Sequence, residues 1–129
     1  MTRQEKSGTR DLTFSGWVRE NLPDSSTGFM VSDLDFILWN YKLRRLMLIE
    51  VKTYAAKMRF WQSSLFETLG KLIEYGAQHI DEPIDYRGFH CIRFEKSSFD
   101  DGRCLLDSKV VSEAELIAFL SMGDAQCRN

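Results

Sequence analysis

Two short apolar arms on either side of a polar turn form the clearest pattern along the chain. The first arm runs from Val31 to Trp39 and the second from Arg45 to Val51, with the polar segment 40–44 between them. Apolar runs of this length, bounded by polar residues, are typical of β-strands joined in a hairpin. We therefore predict an antiparallel hairpin that turns near Lys42.

Two pairs of charged residues lie in or directly beside the apolar arms of this hairpin. Asp33 and Asp35 are two positions apart, and so are Glu50 and Lys52, so each pair shares one face of its strand. With the turn in the polar segment, antiparallel pairing sets Asp35 opposite or nearly opposite Glu50. The hairpin is thus expected to bring carboxylates together beside a lysine.

Helical spacing of apolar residues predicts three helices around the hairpin. They are expected at Arg10–Asn21, at Met58–His79 and after Ser112, which has Glu115 at the spacing of a capping box. The apolar residues of the second helix are expected to form a stripe that packs on the sheet. The stripe consists of Trp61, Leu65, Leu69, Leu72 and Ile73, with Phe66 and Tyr75 beside it.

Two later segments, Tyr86–Glu95 and Arg103–Leu106, have the composition of strands. The predicted order is helix, two strands, helix, one or two strands, helix, which indicates an α/β or α+β fold with a mixed sheet. The 129 residues have the length of a single domain, and residues 1–9 and 124–129 are expected to be flexible tails. The pattern leaves the strand order open.

The overall composition is that of an ordinary soluble protein, with 43% hydrophobic and 28% charged residues. The sequence has no apolar run long enough to span a bilayer, and its N-terminal residues lack the apolar segment of a signal peptide. We therefore expect a cytoplasmic protein with no membrane partner. The formal net charge of -2 is not that of a dedicated non-specific DNA binder, which is more often basic.

The facing carboxylates suggest a metal site. Two carboxylates at the end of an apolar sheet repel each other and lose hydration unless a cation lies between them. Mg²⁺ prefers carboxylate and water oxygens and usually takes one or two protein carboxylates together with substrate phosphates. Lys52 beside it could orient or deprotonate a water molecule, or stabilise charge on a phosphate. These parts together indicate metal-assisted hydrolysis of a phosphodiester.

The order of an aspartate, an apolar hairpin and Glu50-Val51-Lys52 resembles the core of the PD-(D/E)XK nuclease superfamily, which includes many restriction enzymes, junction resolvases and phage nucleases. The resemblance implies a restriction-endonuclease-like mixed β-sheet core flanked by helices. It further implies that Asp35 and Glu50 are metal ligands and that Lys52 is the catalytic lysine. The small chain looks most like the phage or mobile-element members.

Two residues outside the hairpin extend the resemblance, which covers roughly Trp17 to Tyr75. Members of the superfamily tend to have a glutamate on the helix before the hairpin, and Glu20 fits that position. They often have a glutamine on the helix after the lysine strand, and Gln62 matches it. The resemblance implies that Glu20 assists the metal site and that Gln62 positions water or backbone.

The sequence departs from the superfamily pattern at the proline that gives it its name. Ser32-Asp33 occupies the corresponding position, whereas Asp35 leads the apolar run. Either aspartate can be the main ligand. We favour Asp35 because Phe36 and further apolar residues follow it directly and because it is nearer to Glu50 in sequence, with Asp33 as a second metal ligand.

The resemblance implies an Mg²⁺-dependent DNA endonuclease, in which Mn²⁺ can take the place of Mg²⁺. Cutting both strands at this chain length would need two copies of the site, so a homodimer or higher homo-oligomer is expected by symmetry. Five basic residues near the hairpin are candidates for contacts with the nucleic acid. They are Lys42, Arg44, Arg45, Lys57 and Arg59.

Two other functions are compatible with the same residues. A catalytically inactive module could keep the fold and bind DNA or protein, since one fold hosts many functions. The joint presence of Asp35, Glu50 and Lys52 favours catalysis over such a module. RNA is a further possible substrate, although the sequence lacks the aromatic-rich strand of an RNA-recognition motif.

Overall fold

The computed structural model describes residues 7–53, 58–95 and 102–123. The chain divides into two compact units, residues 1–32 and 33–129. The second unit contains the predicted hairpin and every strand of the described segments.

The first unit consists of a helix and a short turn. Helix α1 (Ser7–Asn21) starts three residues before the predicted start, so part of the expected N-terminal tail is helical. The side-chain amide of Asn21 donates to the carbonyl of Trp17 at 2.8 Å, which holds the last turn of the helix. A 3-10 turn follows at Ser25–Thr27, where the Asp24 carboxylate accepts the backbone N–H of Ser26 at 2.6 Å.

The second unit is built on a five-stranded mixed sheet in which the strands stand in sequence order. β1 and β2 are antiparallel, β2 and β3 are parallel, and the remaining neighbours are antiparallel. The strands are β1 (Phe36–Asn40), β2 (Arg45–Thr53), β3 (Asp85–Phe94), β4 (Cys104–Leu106) and β5 (Lys109–Val111). This confirms the predicted α/β class with a mixed sheet and supplies the strand order that the sequence left open.

Two helices cover opposite faces of the sheet. Helix α2 (Phe60–His79) connects the parallel strands β2 and β3 and packs on one face, where Phe66 stacks on Phe89 with ring centroids 4.4 Å apart. Helix α3 (Glu113–Ser121) packs on the other face against the main core. That core consists of Met47, Ile49, Ile92, Cys104, Leu116 and Met122. The second unit is therefore a helix–sheet–helix sandwich.

Local side-chain contacts explain where the hairpin turns and where α3 begins. The Oδ1 atom of Asn40 accepts the backbone N–H groups of Lys42 at 3.1 Å and Leu43 at 2.9 Å, which closes the turn. Ser112 accepts the N–H of Glu115 at 3.1 Å, and the Glu115 carboxylate accepts the N–H of Ser112 at 2.8 Å. The hairpin turn and the capping box are thus confirmed as predicted from the sequence.

The structure corrects two strand predictions. The first hairpin strand begins at Phe36 instead of Val31, because the N–H of Asp35 bonds to the Glu50 side chain and not to the backbone of β2. No pattern in the sequence indicates β5. The turn that leads into it places Asp107 and Ser108 at φ of 49° and 75°, a conformation that is usually signalled by Asn-Gly or Asp-Gly.

The predicted core stripe of α2 is also corrected. Trp61, Leu69 and Leu72 are exposed, and the buried positions of the helix are Phe66 and Ala77. The sheet-facing side includes Gly70, where an added Cβ atom would lie 3.6 Å from the Tyr86 hydroxyl. Leu72, two positions on, lies on the opposite, solvent-facing side of the helix.

Candidate active site

The hairpin pairing places Asp35 beside Glu50. Phe36 pairs with Ile49, so the next positions outward are Asp35 and Glu50. The N–H of Asp35 donates to Oε1 of Glu50 at 3.2 Å, and the N–H of Val51 donates to Oδ2 of Asp35 at 2.8 Å. The juxtaposition predicted from the sequence is thus confirmed, and each carboxylate is held by a backbone amide of the other strand.

Glu50 is the buried member of this pair. Its residue surface is 3% exposed, whereas Asp35 is exposed at the end of the edge strand. Burial, followed by the charge of Asp35, raises the pKa of Glu50 above its ordinary value, against the opposing effects of the Asp35 N–H and the Lys52 ammonium group. The site therefore holds a carboxylate for which a nearby positive charge is favourable.

Lys52 and Gln62 complete a closed network around this carboxylate. Lys52 Nζ lies 3.5 Å from Oε2 of Glu50, and its side chain is 20% exposed. Gln62, in the first turn of α2, donates from Nε2 to the same oxygen at 3.1 Å. Lys52 Nζ donates in turn to Oε1 of Gln62 at 3.4 Å. The structure thus brings together four of the residues proposed from the sequence: Asp35, Glu50, Lys52 and Gln62.

The parallel strand β3 adds two neighbours that sequence reasoning missed. Cys91 pairs with Glu50 and Arg93 pairs with Lys52, and paired residues project from the same face of a sheet. Burial raises the pKa of the Cys91 thiol, while Arg93 donates to the carbonyl of Thr53 at 3.4 Å. A strand–helix–strand pattern in the sequence could have indicated these neighbours, but not which β3 residues would be in register.

The two remaining acidic candidates are both exposed. Asp33 precedes β1 by three positions. Glu20 lies on α1 in the first unit. Their roles as a metal ligand and as an assisting glutamate stay predictions.

Two of the basic candidates make contacts within the chain. Arg44 donates to the carbonyl of Glu82 at 2.8 Å and lies 5.7 Å above the ring of Trp39. Arg45 donates to the carbonyl of Met122 at 2.8 Å and lies 3.4 Å from the carboxylate of Asp85. Both arginines therefore hold the hairpin against later parts of the chain.

The other three basic candidates differ in their surroundings. Lys42 is exposed in the hairpin turn. Arg59 precedes α2, and its guanidinium group lies 5.3 Å from the ring centre of Trp61. Lys57 falls outside the described residues. Contact of any of these five residues with nucleic acid stays a prediction.

The donor set suits a metal ion that takes few protein ligands. Across the described ranges, no three His, Cys, Asp or Glu side chains come together as a metal cluster. Asp35 and Glu50 nevertheless supply two adjoining carboxylates, and Mg²⁺ commonly takes one or two of these and draws its other ligands from water and substrate. Burial, and after it the neighbouring charge of Asp35, raises the pKa of Glu50, and a bound cation would favour the charged form of this carboxylate. These two residues therefore fit Mg²⁺ or Mn²⁺.

Comparison of this chain with protein-family models, with curated proteins and with solved structures finds no match in any of the three. Among the helices of the described segments, none has the length and apolar character that crossing a membrane requires.

Proposed function

We propose that this protein is an Mg²⁺-dependent DNA endonuclease with a restriction-endonuclease-like fold. The observation that carries the proposal is the convergence of Asp35, Glu50, Lys52 and Gln62 at one end of the hairpin. A buried structural ion pair needs one acid and one base, whereas this site has two adjoining carboxylates and a lysine. Catalysis of phosphodiester hydrolysis uses such a set.

The order of elements supports the fold part of the proposal. An antiparallel hairpin, a crossover helix and a strand parallel to the second hairpin strand follow one another. The acidic pair, the lysine and the glutamine occur on these elements in the order that the PD-(D/E)XK resemblance implies. That agreement concerns the core from β1 to β3.

Each residue of the network has a distinct task in the proposed reaction. Asp35 and Glu50 would hold the cation, which when bound would polarise the phosphate and lower the pKa of a water molecule. Lys52 is 20% exposed and carries its charge at the border of the site, where its ammonium group can stabilise charge that develops on the phosphate or orient the attacking water.

Gln62 acts as a positioning residue in this scheme. Its amide contacts both Glu50 and Lys52, so it fixes the orientation of the carboxylate and of the ammonium group. Because Gln62 comes from α2 and its two partners come from β2, the site is complete only when helix and sheet are packed together.

The test is cleavage of supercoiled plasmid with Mg²⁺ or Mn²⁺, together with an EDTA control. Wild-type protein is expected to nick or linearise the plasmid, and Glu50→Gln and Lys52→Ala are expected to abolish the activity. Glu113→Gln and Lys109→Ala are matched controls, because both residues are exposed and lie away from the hairpin on α3 and β5. Cleavage that survives both site substitutions or EDTA would refute the proposed site.

One observation favours a second candidate, a catalytically inactive module of the same fold that binds DNA or protein. The carboxylate of Glu50 already has partners within the chain in Asp35, Gln62 and Lys52, so the network can be satisfied without a metal. Fluorescence anisotropy with labelled duplex and branched DNA separates the two functions. DNA binding without cleavage of plasmid, branched DNA or RNA under any metal condition would favour the inactive module.

A further inference from the structure

A pair of cations lies beside the acidic pair, on the face of the sheet that α2 covers. Lys52 of β2 pairs with Arg93 of the parallel strand β3. Paired residues project from the same face of a sheet, and so do residues two apart in one strand, so Glu50 shares this face with both cations. The three charged side chains stand at the carboxyl ends of two parallel strands, the end at which α/β sheets commonly bind ligands.

The two cations contact different neighbours. Lys52 turns back toward the acidic pair, where its Nζ lies 3.5 Å from Oε2 of Glu50. Arg93 is half-buried and reaches across to β2, where its Nη1 donates to the carbonyl of Thr53 at 3.4 Å. Thr53 follows Lys52, and two strand residues span about 6.6 Å. The guanidinium group of Arg93 is therefore held further along the strand than the ammonium group of Lys52.

A phosphate is the ligand that suits this arrangement. Like charges directly opposite each other on neighbouring strands repel, and a bound anion would offset the repulsion between Lys52 and Arg93. A guanidinium group has five N–H donors in a planar fork that matches the oxygens of a phosphate. An arginine can thus keep its contact with a carbonyl while it binds a phosphate.

The charge of the whole chain increases the importance of cations near the site. The formal net charge is -2, so the chain as a whole does not attract a polyanion, and contacts with DNA phosphates have to come from cations placed locally. Of the basic residues proposed from the sequence, Arg44 and Arg45 hold the hairpin against later parts of the chain. Arg93 stands in register with Lys52 and is placed to supply such a local charge.

From this register, these contacts and this charge balance we propose that Arg93 binds a backbone phosphate of DNA next to the phosphate that is cleaved. The proposal rests on the proposed function, because it takes DNA as the substrate. Arg93 holds the strand in place while Lys52 acts at the scissile phosphate. A contact made equally in the ground state and the transition state changes KM and leaves kcat unaltered, so loss of Arg93 is expected to raise KM and to leave kcat within about threefold of wild type.

Fluorescence anisotropy with a labelled DNA duplex, in EDTA and over about 50–200 mM salt, tests the contact without cleavage. Arg93→Gln is expected to weaken binding at least about tenfold at the lowest salt. It is also expected to reduce the magnitude of the slope of log affinity against log salt by about 0.9, the contribution of one phosphate contact. Arg93→Lys keeps the charge and is expected to keep the slope.

Arg87→Gln is the matched control for the binding measurement. It removes the same charge from the same strand, but Arg87 lies near the other end of β3, where its Nε is 2.8 Å from the carboxylate of Asp85. We expect this variant to keep both the affinity and the salt slope of wild type. Circular dichroism checks that each variant is folded, and Arg93→Met, which retains an apolar stem, replaces Arg93→Gln if that variant does not fold.

Steady-state cleavage of plasmid by the same variants separates DNA binding from chemistry. If Arg93→Gln has the affinity and salt slope of wild type, or if its loss appears in kcat alone, the phosphate contact is wrong while the nuclease activity of wild type stands. A wild-type chain that binds DNA through Arg93 and cuts no substrate supports the contact and refutes the nuclease. A wild-type chain that binds no DNA refutes both.

Discussion

The Nε2 atom of Gln62 lies 3.1 Å from Oε2 of Glu50, and this contact joins the first turn of α2 to the acidic end of β2. Glu50 is rigidly placed because its neighbours in β2, Met47 to Ile49, are buried in the sheet. Gln62 therefore transmits the packing of α2 to the carboxylate. The orientation of Glu50 depends on the helix as well as on its own strand.

Replacement of Gln62 should impair turnover more than stability. Gln62→Ala is expected to lower kcat about 10–100-fold, the usual effect of removing a group that orients a ligand, with little change in KM. Gln78→Ala is the matched control, since Gln78 is an exposed glutamine in the last turns of the same helix. Steady-state cleavage kinetics measure both. Unchanged kcat in Gln62→Ala would show that the contact has no part in positioning.

Substituting Asp33 and Asp35 one at a time shows which of them is the main metal ligand. Asp35→Asn keeps an oxygen that can accept the N–H of Val51, so the hairpin is expected to fold while its charge is lost. We expect Asp35→Asn to reduce cleavage and Mn²⁺ affinity by more than about 100-fold. Removing a group that only hydrogen-bonds to a metal ligand typically costs less than that. Asp33→Asn is expected to change both less than about threefold. Mn²⁺ binding is followed by electron paramagnetic resonance, and a reversed order would make Asp33 the main ligand.

The buried carboxylate predicts a pH-dependent effect on stability. The pKa of Glu50 lies above its ordinary value near 4.5, so the folded chain takes up this proton before the unfolded chain as the pH falls. At pH values above its folded-state pKa, the charged Glu50 therefore lowers the free energy of unfolding. This destabilisation disappears as the pH falls through that pKa towards 4.5. Without metal, Glu50→Gln is expected to stabilise the protein by about 1 kcal/mol at neutral pH and to lose this advantage in acid.

Urea unfolding in EDTA over a series of pH values measures this effect. Glu113→Gln, a substitution on the surface of α3, is the control and is expected to show little change with pH in the same window. If the free energy of unfolding differs between Glu50→Gln and wild type by the same amount from acid to neutral pH, burial of the Glu50 charge is not the cause of that difference.

The capping box of α3 provides a test of the fold that is independent of catalysis. Ser112 accepts the N–H of Glu115, and Glu115 accepts the N–H of Ser112. Ser112→Ala is expected to lower the free energy of unfolding by about 1 kcal/mol and the Tm by about 2–5 °C. Ser121→Ala, in the last turn of the same helix, should cost less. Thermal unfolding followed by circular dichroism gives both values, and equal losses would contradict a specific role for the cap.

The hairpin was predictable because each part of it has a local cause. Asn40 supplies the side-chain acceptor that closes the turn, and the apolar arms set the pairing of Phe36 with Ile49. Once that register is fixed, Asp35 and Glu50 must meet. This part of the candidate site needs no information from distant residues.

Other features depend on contacts that no local pattern encodes. Gly70 and Ala77 face the sheet, whereas Leu72 faces solvent, so apolar content alone assigned the wrong side of α2 to the core. The neighbours Cys91 and Arg93 depend on the register of two parallel strands. That register includes an irregularity between Leu46 and Leu48, which shifts every later pair by one residue and is invisible in the sequence.

The position of β1 at the edge of the described sheet gives the two carboxylates unequal freedom of movement. β1 pairs with β2 alone, whereas β2 is flanked on both sides, and strands of this kind open locally at a lower free energy than central strands do. Fraying of β1 would carry Asp35 away while Glu50 stayed in place. The amides that join β1 to β2 should then exchange with deuterium faster than the amides that join β2 to β3, so that only the Asp35 side of the site can move.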